Sequence, residues 1–280
     1  MKLLFIQRVL VPEFPVRDCC RLLDVSESGY YRLLNHPVSA REVGRQELDG
    51  KIRVVFDEFS RVYGSPRVHQ ELLRTGARVS RNTVANAMRK AGIQSRMHRR
   101  KHRVKTTDSN HDSPIAPNLL NRNFTSDAPN KVWVSDFTYI PTLEGFMYLA
   151  TVMDLFSRKI IGWRIADHAR AELVVTALNN TLLSRKSSSG LILHSDRGVQ
   201  YASQEYRAML TENGITQSMS RKGNCYDNAV QESFYGKFKT EWAPEEIYAT
   251  KAQAKAATFD CIEIVYNRKR SSSVLGCVSP

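Results

Sequence analysis

A chain of 280 residues has room for two domains, and 41 Lys and Arg against 28 Asp and Glu leave a formal charge of +13, which favours a polyanionic partner. Its longest apolar runs, such as Phe146 to Met153, fall far short of the roughly 20 residues that a membrane-spanning helix needs, so a membrane protein is excluded. The opening MKLLFIQRVL is interrupted by Gln7 and Arg8 and no small-residue cleavage site follows, which argues against a signal peptide and for a cytoplasmic protein.

Residues 1–45 carry three helical patterns, Lys2 to Leu10, Val16 to Leu23 and Glu27 to Leu34, with a turn at Asp24-Val25-Ser26. The spacing is helix-turn-helix-like, but the modest charge suits packing or oligomerisation as well as DNA. Residues 46–105 predict a DNA-binding domain. Helices near Arg67 to Leu73 and Arg81 to Lys90 are joined by a Gly-containing turn, and Ser80 is placed to cap the second. That second helix would enter a major groove and present Arg81, Asn82 and Arg89 to base edges or phosphates; the alternative is a helical hairpin that merely packs. The run SRMHRRKHRVK follows, and its Arg96, Arg99, Arg100, Lys101 and Arg103 must face water or phosphate. His98 and His102 have the spacing of two zinc ligands, but no Cys-x-x-Cys is present to complete a tetrahedral site. The five cysteines, Cys19, Cys20, Cys225, Cys261 and Cys277, are odd in number and lack metal spacing, so reduced structural thiols are expected.

Residues 106–130, rich in Asn, Ser, Asp and Pro, predict a linker with a short docking segment at Asn118 to Phe124. Beyond it the periodicity changes to that of an α/β domain, residues 131–245. Strands Val132 to Ile140, Phe146 to Asp154 and Ile160 to Ala166 read as an antiparallel meander. A helix from Ala171 to Leu183, a strand from Leu191 to His194, a helix from Ser203 to Asn213 and a strand from Ile215 to Met219 follow, giving a mixed five-stranded sheet with flanking helices. A polar loop, SRKGNCY, offers Arg221 and Lys222 to a DNA backbone. The last helix of the domain opens after Asp227-Asn228, with Asn228 and Gln231 spaced as a capping box. Its apolar stripe is Val230, Phe234, Phe238 and Trp242, whereas Glu232, Gly236 and Lys239 share the other side. Residues 246–280 predict a helical tail.

Three acids stand out. Asp136 lies in a strand interior, Asp196 just past the end of a strand and Glu232 on a helix face, 36 positions after Asp196. Phosphodiester chemistry with Mg2+ or Mn2+ needs hard oxygen ligands that hold two cations roughly 3.5–4 Å apart, and clustered carboxylates supply them. Asp136, Asp196 and Glu232 are therefore the candidate catalytic and metal-binding residues. Lys239, two helical turns after Glu232, would hold a phosphate in the same groove. Ser195 and Tyr201 lie near Asp196, but a hydroxyl that forms a covalent bond to DNA needs an activating base or Arg cluster, and the flanking acids explain the site better.

From about Pro117 to the last residue, the segments WVSDFTYI, HSDRGVQY and NCYDNAVQESFYGKFKTEW resemble the catalytic core of bacterial insertion-sequence transposases of the retroviral-integrase-like type, the product of the element's second reading frame. The 35 residues between Asp196 and Glu232 match that family's signature spacing. The resemblance implies a ribonuclease-H-like fold, metal-dependent strand cleavage at the element's ends and transfer of a 3′ hydroxyl onto target DNA. It also implies terminal inverted repeats and target DNA as partners, a homo-oligomer on DNA, and fusion to an upstream reading-frame product. His194, Gln200, Tyr201, Asn228 and Ser233 fit the pattern as residues that shape the site. Ser272 stands where the family ordinarily has His. Two other readings of the residues stay open: a DNA-binding relic or regulator without catalysis, and a nuclease of the same fold that cuts without joining.

Overall fold

Five strands build one mixed sheet: β1 (Val132–Thr142), β2 (Gly145–Asp154), β3 (Ile160–Ala166), β4 (Ile192–Ser195) and β5 (Thr216–Met219). The order is β3-β2-β1-β4-β5, antiparallel from β3 to β1 and parallel from β1 to β5. The expected meander is present, and it places β1 centrally, beside the strand that leads to Asp196. The structure, a computed structural model, describes residues 2–11, 13–34, 39–95, 113–242, 247–270, 272, 275–276 and 279–280. Arg96, Arg99, Arg100, Lys101 and Arg103, with His98 and His102, lie outside the described residues.

The two faces of the sheet bury different cores. Odd-numbered residues of β1, Trp133 and Phe137, pack with α7 (Ala171–Ser184) and α8 (Gln204–Glu212). Even-numbered Val134 and Ile140 pack instead with Phe234, Tyr235 and Phe238 of the Glu232 helix and with Cys261, Ile262 and Tyr266 of the tail. A period-2 strand buried on both sides needs apolar residues at both parities, which WVSDFTYI supplies except at the positions used for polar contacts. Leu120 of the expected docking segment joins the second core.

Helix α7 lies against edge strand β3 at Gly162. A Cβ there would sit 2.0 Å from Thr181 Oγ1 and 2.8 Å from both the Ala177 carbonyl oxygen and the Thr181 nitrogen. Two of these neighbours are backbone and cannot swing away. Gly162→Ala is expected to destabilise the chain by about 3 kcal/mol, the upper end for overpacking, and to lower the melting midpoint by several degrees. An unchanged thermal melt would show that the helix and strand tolerate separation.

Ahead of the sheet, α1 (Lys2–Phe5) with a π-turn at Ile6–Leu10, α2 (Val16–Leu22) and α3 (Glu27–Leu34) surround a small core of Ile6, Cys19, Cys20 and Tyr30. Next come α4 (Ala40–Glu58), α5 (Ser65–Arg74) and α6 (Arg81–Lys90), which share a separate core of Ile52, Phe56, Phe59, Tyr63, Val68, Leu72, Val84 and Met88. Ser80 caps α6 by accepting from Thr83 N at 3.2 Å, as its position predicts. The longest of these helices, α4, was not anticipated from sequence. Its first half is solvent-exposed and mixed in charge, and its buried residues fall only in its last turns. Cys19, Cys20 and Cys261 are buried free thiols. Among the described residues no helix is long and apolar enough to cross a membrane.

Candidate active site

β1 and β4 pair only from Val132↔Ile192 to Val134↔His194, after which β4 ends and β1 runs on. Asp136 is two residues beyond Val134 and Asp196 two residues beyond His194. The parallel register therefore sets both aspartates side by side at the fork, on the sheet face of Val134, with Asp136 inside β1 and Asp196 just past the carboxyl end of β4. Asp196 is held by Gly198 N, which donates to Oδ1 at 2.9 Å, and Asp136 Oδ1 accepts from Phe137 N at 2.8 Å. Both are half-buried.

Three side chains along the Glu232 helix bond to three successive β1 carbonyls next to the fork; of these only the Ser135 carbonyl lies on the side that β4 has left, while those of Val134 and Asp136 lie on the side of β2. Helix α9 (Ala229–Lys237) places Asn228, Gln231 and Tyr235 toward the strand. Gln231 Nε2 donates to the Val134 carbonyl at 2.8 Å, Asn228 Nδ2 to the Ser135 carbonyl at 3.4 Å and Tyr235 Oη to the Asp136 carbonyl at 2.6 Å. The expected capping box of Asn228 and Gln231 is absent: Asn228 makes no side-chain cap, its Nδ2 turning to β1 while its buried Oδ1 meets no protein donor. The expected core stripe also shifts. Gln231, Phe234, Tyr235 and Phe238 are buried, whereas Val230 and Trp242 are only partly so. Polar Gln231 and Tyr235, four apart on an otherwise apolar face, were the available signal for this docking.

Glu232 is exposed on the neighbouring side of α9, near enough for its charge to act on Asp136. Burial, then repulsion from Asp196 and Glu232, raises the Asp136 carboxyl well above the ordinary carboxylate range; the Phe137 amide and Lys239 pull only partly in the other direction. Among the described residues no group of three His, Cys, Asp or Glu side chains is already gathered as a metal site. The donor chemistry suits a divalent cation, because Asp136, Asp196 and Glu232 are hard carboxylates and the charges of the latter two both act on the first. Lys239, on the π-turn Phe238–Trp242 that continues α9, places Nζ 3.9 Å from the centre of the Tyr139 ring. The hydroxyls of Ser195 and Tyr201 are fully buried; Ser195 donates to the Asp196 carbonyl, and Tyr201 lies 3.2 Å from Ser135 Oγ.

Beneath the fork lies a polar network that sequence reading did not find. His194 Nε2 meets the Asp227 carbonyl at 2.9 Å, and its Nδ1 lies 2.8 Å from Ser218 Oγ, which fixes a neutral ring with the proton on Nε2. The buried Asp227 carboxylate takes both arms of Arg221 at 2.7 and 2.8 Å, Arg122 at 3.1 Å and Asn118 at 3.0 Å. The SRKGNCY loop is thus anchored at Arg221, and the 118–124 segment is docked onto the start of α9. Lys222 is exposed beside Arg221. On the helical domain, Arg81, Asn82 and Arg89 of α6 are all exposed, and Arg89 donates to Asn86 at 3.1 Å. Gln200, buried, donates to the Ala169 carbonyl at 2.7 Å, and Ser233 is exposed next to Glu232.

Burial lowers the His194 pKa from 6.5 to about 4, outweighing the hydrogen bond to the Asp227 carbonyl. The unfolded ring takes a proton below about 6.5 and the folded ring does not until about 4. This contribution to stability is therefore complete at neutral pH and is lost as pH falls between those values, by about 3 kcal/mol in all. Denaturant unfolding at pH 7 and pH 4.5 should show a larger acid loss for the wild type than for His194→Gln. Equal losses would remove His194 as the cause.

Family models agree with this layout. The integrase core domain matches residues 126–225 and 213–280, and an HTH-like domain matches residues 44–101. An uncharacterized 31 kDa protein of insertion element IS600 from Shigella sonnei is 40% identical over 261 residues, covering 93% of this chain and 95% of its own. Transposase InsF for insertion sequence IS3A from Escherichia coli (strain K12) is 37% identical over 282 residues, covering 100% of this chain and 97% of its own. Among solved structures, the HTLV-2 integrase catalytic core domain in complex with magnesium (trimeric form) shares 16% identity at a TM-score of 0.41, over 55% of this chain and 96% of that one. With relatives matched along their whole length and integrase core models meeting across the catalytic sheet, the chain belongs to the family of insertion-sequence transposases.

Proposed function

We propose that Asp136, Asp196 and Glu232 form the metal-dependent active site of a polynucleotidyl transferase that cleaves the ends of an insertion sequence and joins the 3′ hydroxyl to target DNA. The observation that carries this reading is the β1/β4 fork, which sets two aspartates side by side, next to a helix that bears Glu232 and is bonded to the same strand. Two Mg2+ or Mn2+ ions, when bound, lower the pKa of the attacking water or 3′ hydroxyl and stabilise the departing oxygen. Asp136 would be shared between the two ions, with Asp196 helping to hold one and Glu232 the other. Lys239 meets a phosphate of the incoming strand. With Ser195 and Tyr201 enclosed and hydrogen-bonded, the reaction proceeds without a covalent link between protein and DNA.

Arg81, Asn82 and Arg89 read the terminal repeats from α6, with Arg96, Arg99, Arg100, Lys101 and Arg103 adding phosphate contacts; Lys222, and Arg221 through whatever capacity Asp227 leaves it, contact the backbone near the cut. The active form is a homo-oligomer on DNA, extended by the upstream reading-frame product and located in the bacterial cytoplasm. Labelled element ends incubated with target DNA and Mg2+ test the assignment. Joined products support it, nicks without joining indicate a nuclease, and a mobility shift with neither leaves a DNA-binding regulator.

A further inference from the structure

Nine residues after Glu232, on the π-turn that prolongs α9, Glu241 is gripped from two directions. Arg270 of the tail engages it as a fork, Nε to Oε2 and Nη2 to Oε1, both at 2.8 Å. Arg67 of α5 donates to Oε1 at 3.1 Å. The Glu241 side chain is 12% exposed, Arg270 3% and Arg67 31%, and the two guanidinium groups lie over Tyr266 and Tyr63 respectively. Lys269 adds an ion pair with Glu58 of α4 at 3.3 Å, and Val265 packs against the core of α4, α5 and α6. Three parts of the chain distant in sequence, the helix-turn-helix unit, the catalytic helix and the tail, meet at one carboxylate.

Buried ion pairs seldom add stability over apolar packing, so such a junction is better explained by the geometry it fixes. Here the geometry is specific. Glu232 and Glu241 sit on one continuous helical rod, about 13 Å apart along its axis, and α5 is packed against α6, which carries the exposed Arg81, Asn82 and Arg89. We infer that Glu241 is a positioning residue that sets the cleavage register: by tying α5 to the catalytic helix, it fixes how far the sequence read by α6 lies from the phosphodiester bond presented to Asp136, Asp196 and Glu232. The inference rests on the active-site reading above and adds a determinant of where, rather than whether, the strand is cut.

Mapping of cut sites at single-nucleotide resolution on an end-labelled terminal repeat with Mg2+ tests it. Arg67→Gln removes only the arm from α5 and leaves the Glu241–Arg270 pair intact; Glu241→Gln removes the node, and thermal melts report whether each variant is folded. The expected result is one dominant cut for the wild type, and for Arg67→Gln a Mg2+-dependent cleavage spread over neighbouring phosphates, the dominant product falling at least twofold as a share of all cuts. The same single cut in Arg67→Gln, at whatever overall rate, would overturn the register role while leaving the active site standing. No cutting by the wild type would overturn the active-site reading and this inference with it.

Discussion

Asp136→Asn is expected to reduce strand cleavage and joining about 1,000-fold or more while leaving DNA affinity within a few fold. Metal ions contribute several kcal/mol of charge stabilisation in the transition state, and about 4 kcal/mol corresponds to a factor of roughly 1,000 in rate. An amide keeps the size and the Phe137 hydrogen-bond geometry of the carboxylate but removes the charge shared between both cation positions. The pH dependence gives a second readout. Because burial and the flanking acids raise the Asp136 carboxyl, it keeps its proton to higher pH than an ordinary aspartate, and a cation must displace that proton to bind. Activity should therefore fall as pH drops through the raised range and be partly restored there by more Mn2+. The Asn variant should show neither response. Cleavage assays across pH and Mn2+ concentration decide the matter, and full activity in Asp136→Asn would remove this residue from the chemistry.

Asp227→Ala is expected to cost about 2–3 kcal/mol of stability. Deleting one partner of a buried ion pair costs about 3–5 kcal/mol; the lower figure applies because Arg221 and Arg122 are each about half exposed and regain water. The carboxylate itself is fully buried, and the hydrogen bonds from Arg221 hold its pKa far below the ordinary range. Loss of Asp227 frees the start of α9, the SRKGNCY loop and the 118–124 segment together. Chemical denaturation would register the lost stability, and Asp227→Asn should recover part of it by keeping the Asn118 and Arg221 contacts. A stability within 0.5 kcal/mol of wild type, the range of an ordinary surface substitution, would contradict this role.

Much of the catalytic half was legible because its signals are local. The meander announces itself through period-2 patterning between clear turns; the position of Asp136 follows from alternation within its strand and that of Asp196 from a strand end. Ser80 and the run to Lys90 gave the bounds of α6 by capping and periodicity alone. The failures share a different cause. α4 hides behind an exposed, mixed-charge first half; its helicity is supported late, by Ile52, Val55 and Phe56 packing against residues far along the chain. Asn228 and Gln231 looked like a cap because the acceptors their amides meet, the carbonyls of Ser135 and Val134, lie more than 90 residues away. The buried roles of Asp227 and Glu241 left no mark in the sequence, since nothing near them reveals Arg122, Arg67 or Arg270. Polar groups whose partners are remote carry no short-range pattern, and these same groups hold the site in place.

The central claim is that three carboxylates at the β1/β4 fork bind the cations that drive DNA strand cleavage. Calorimetric titration of Mn2+ into the full-length wild type and Asp196→Asn, at neutral pH and matched ionic strength, tests it most directly. The account predicts uptake by the wild type that is lost or weakened at least tenfold in the variant, with both proteins melting at similar temperatures. Equal uptake by the two, or none by either, would contradict it.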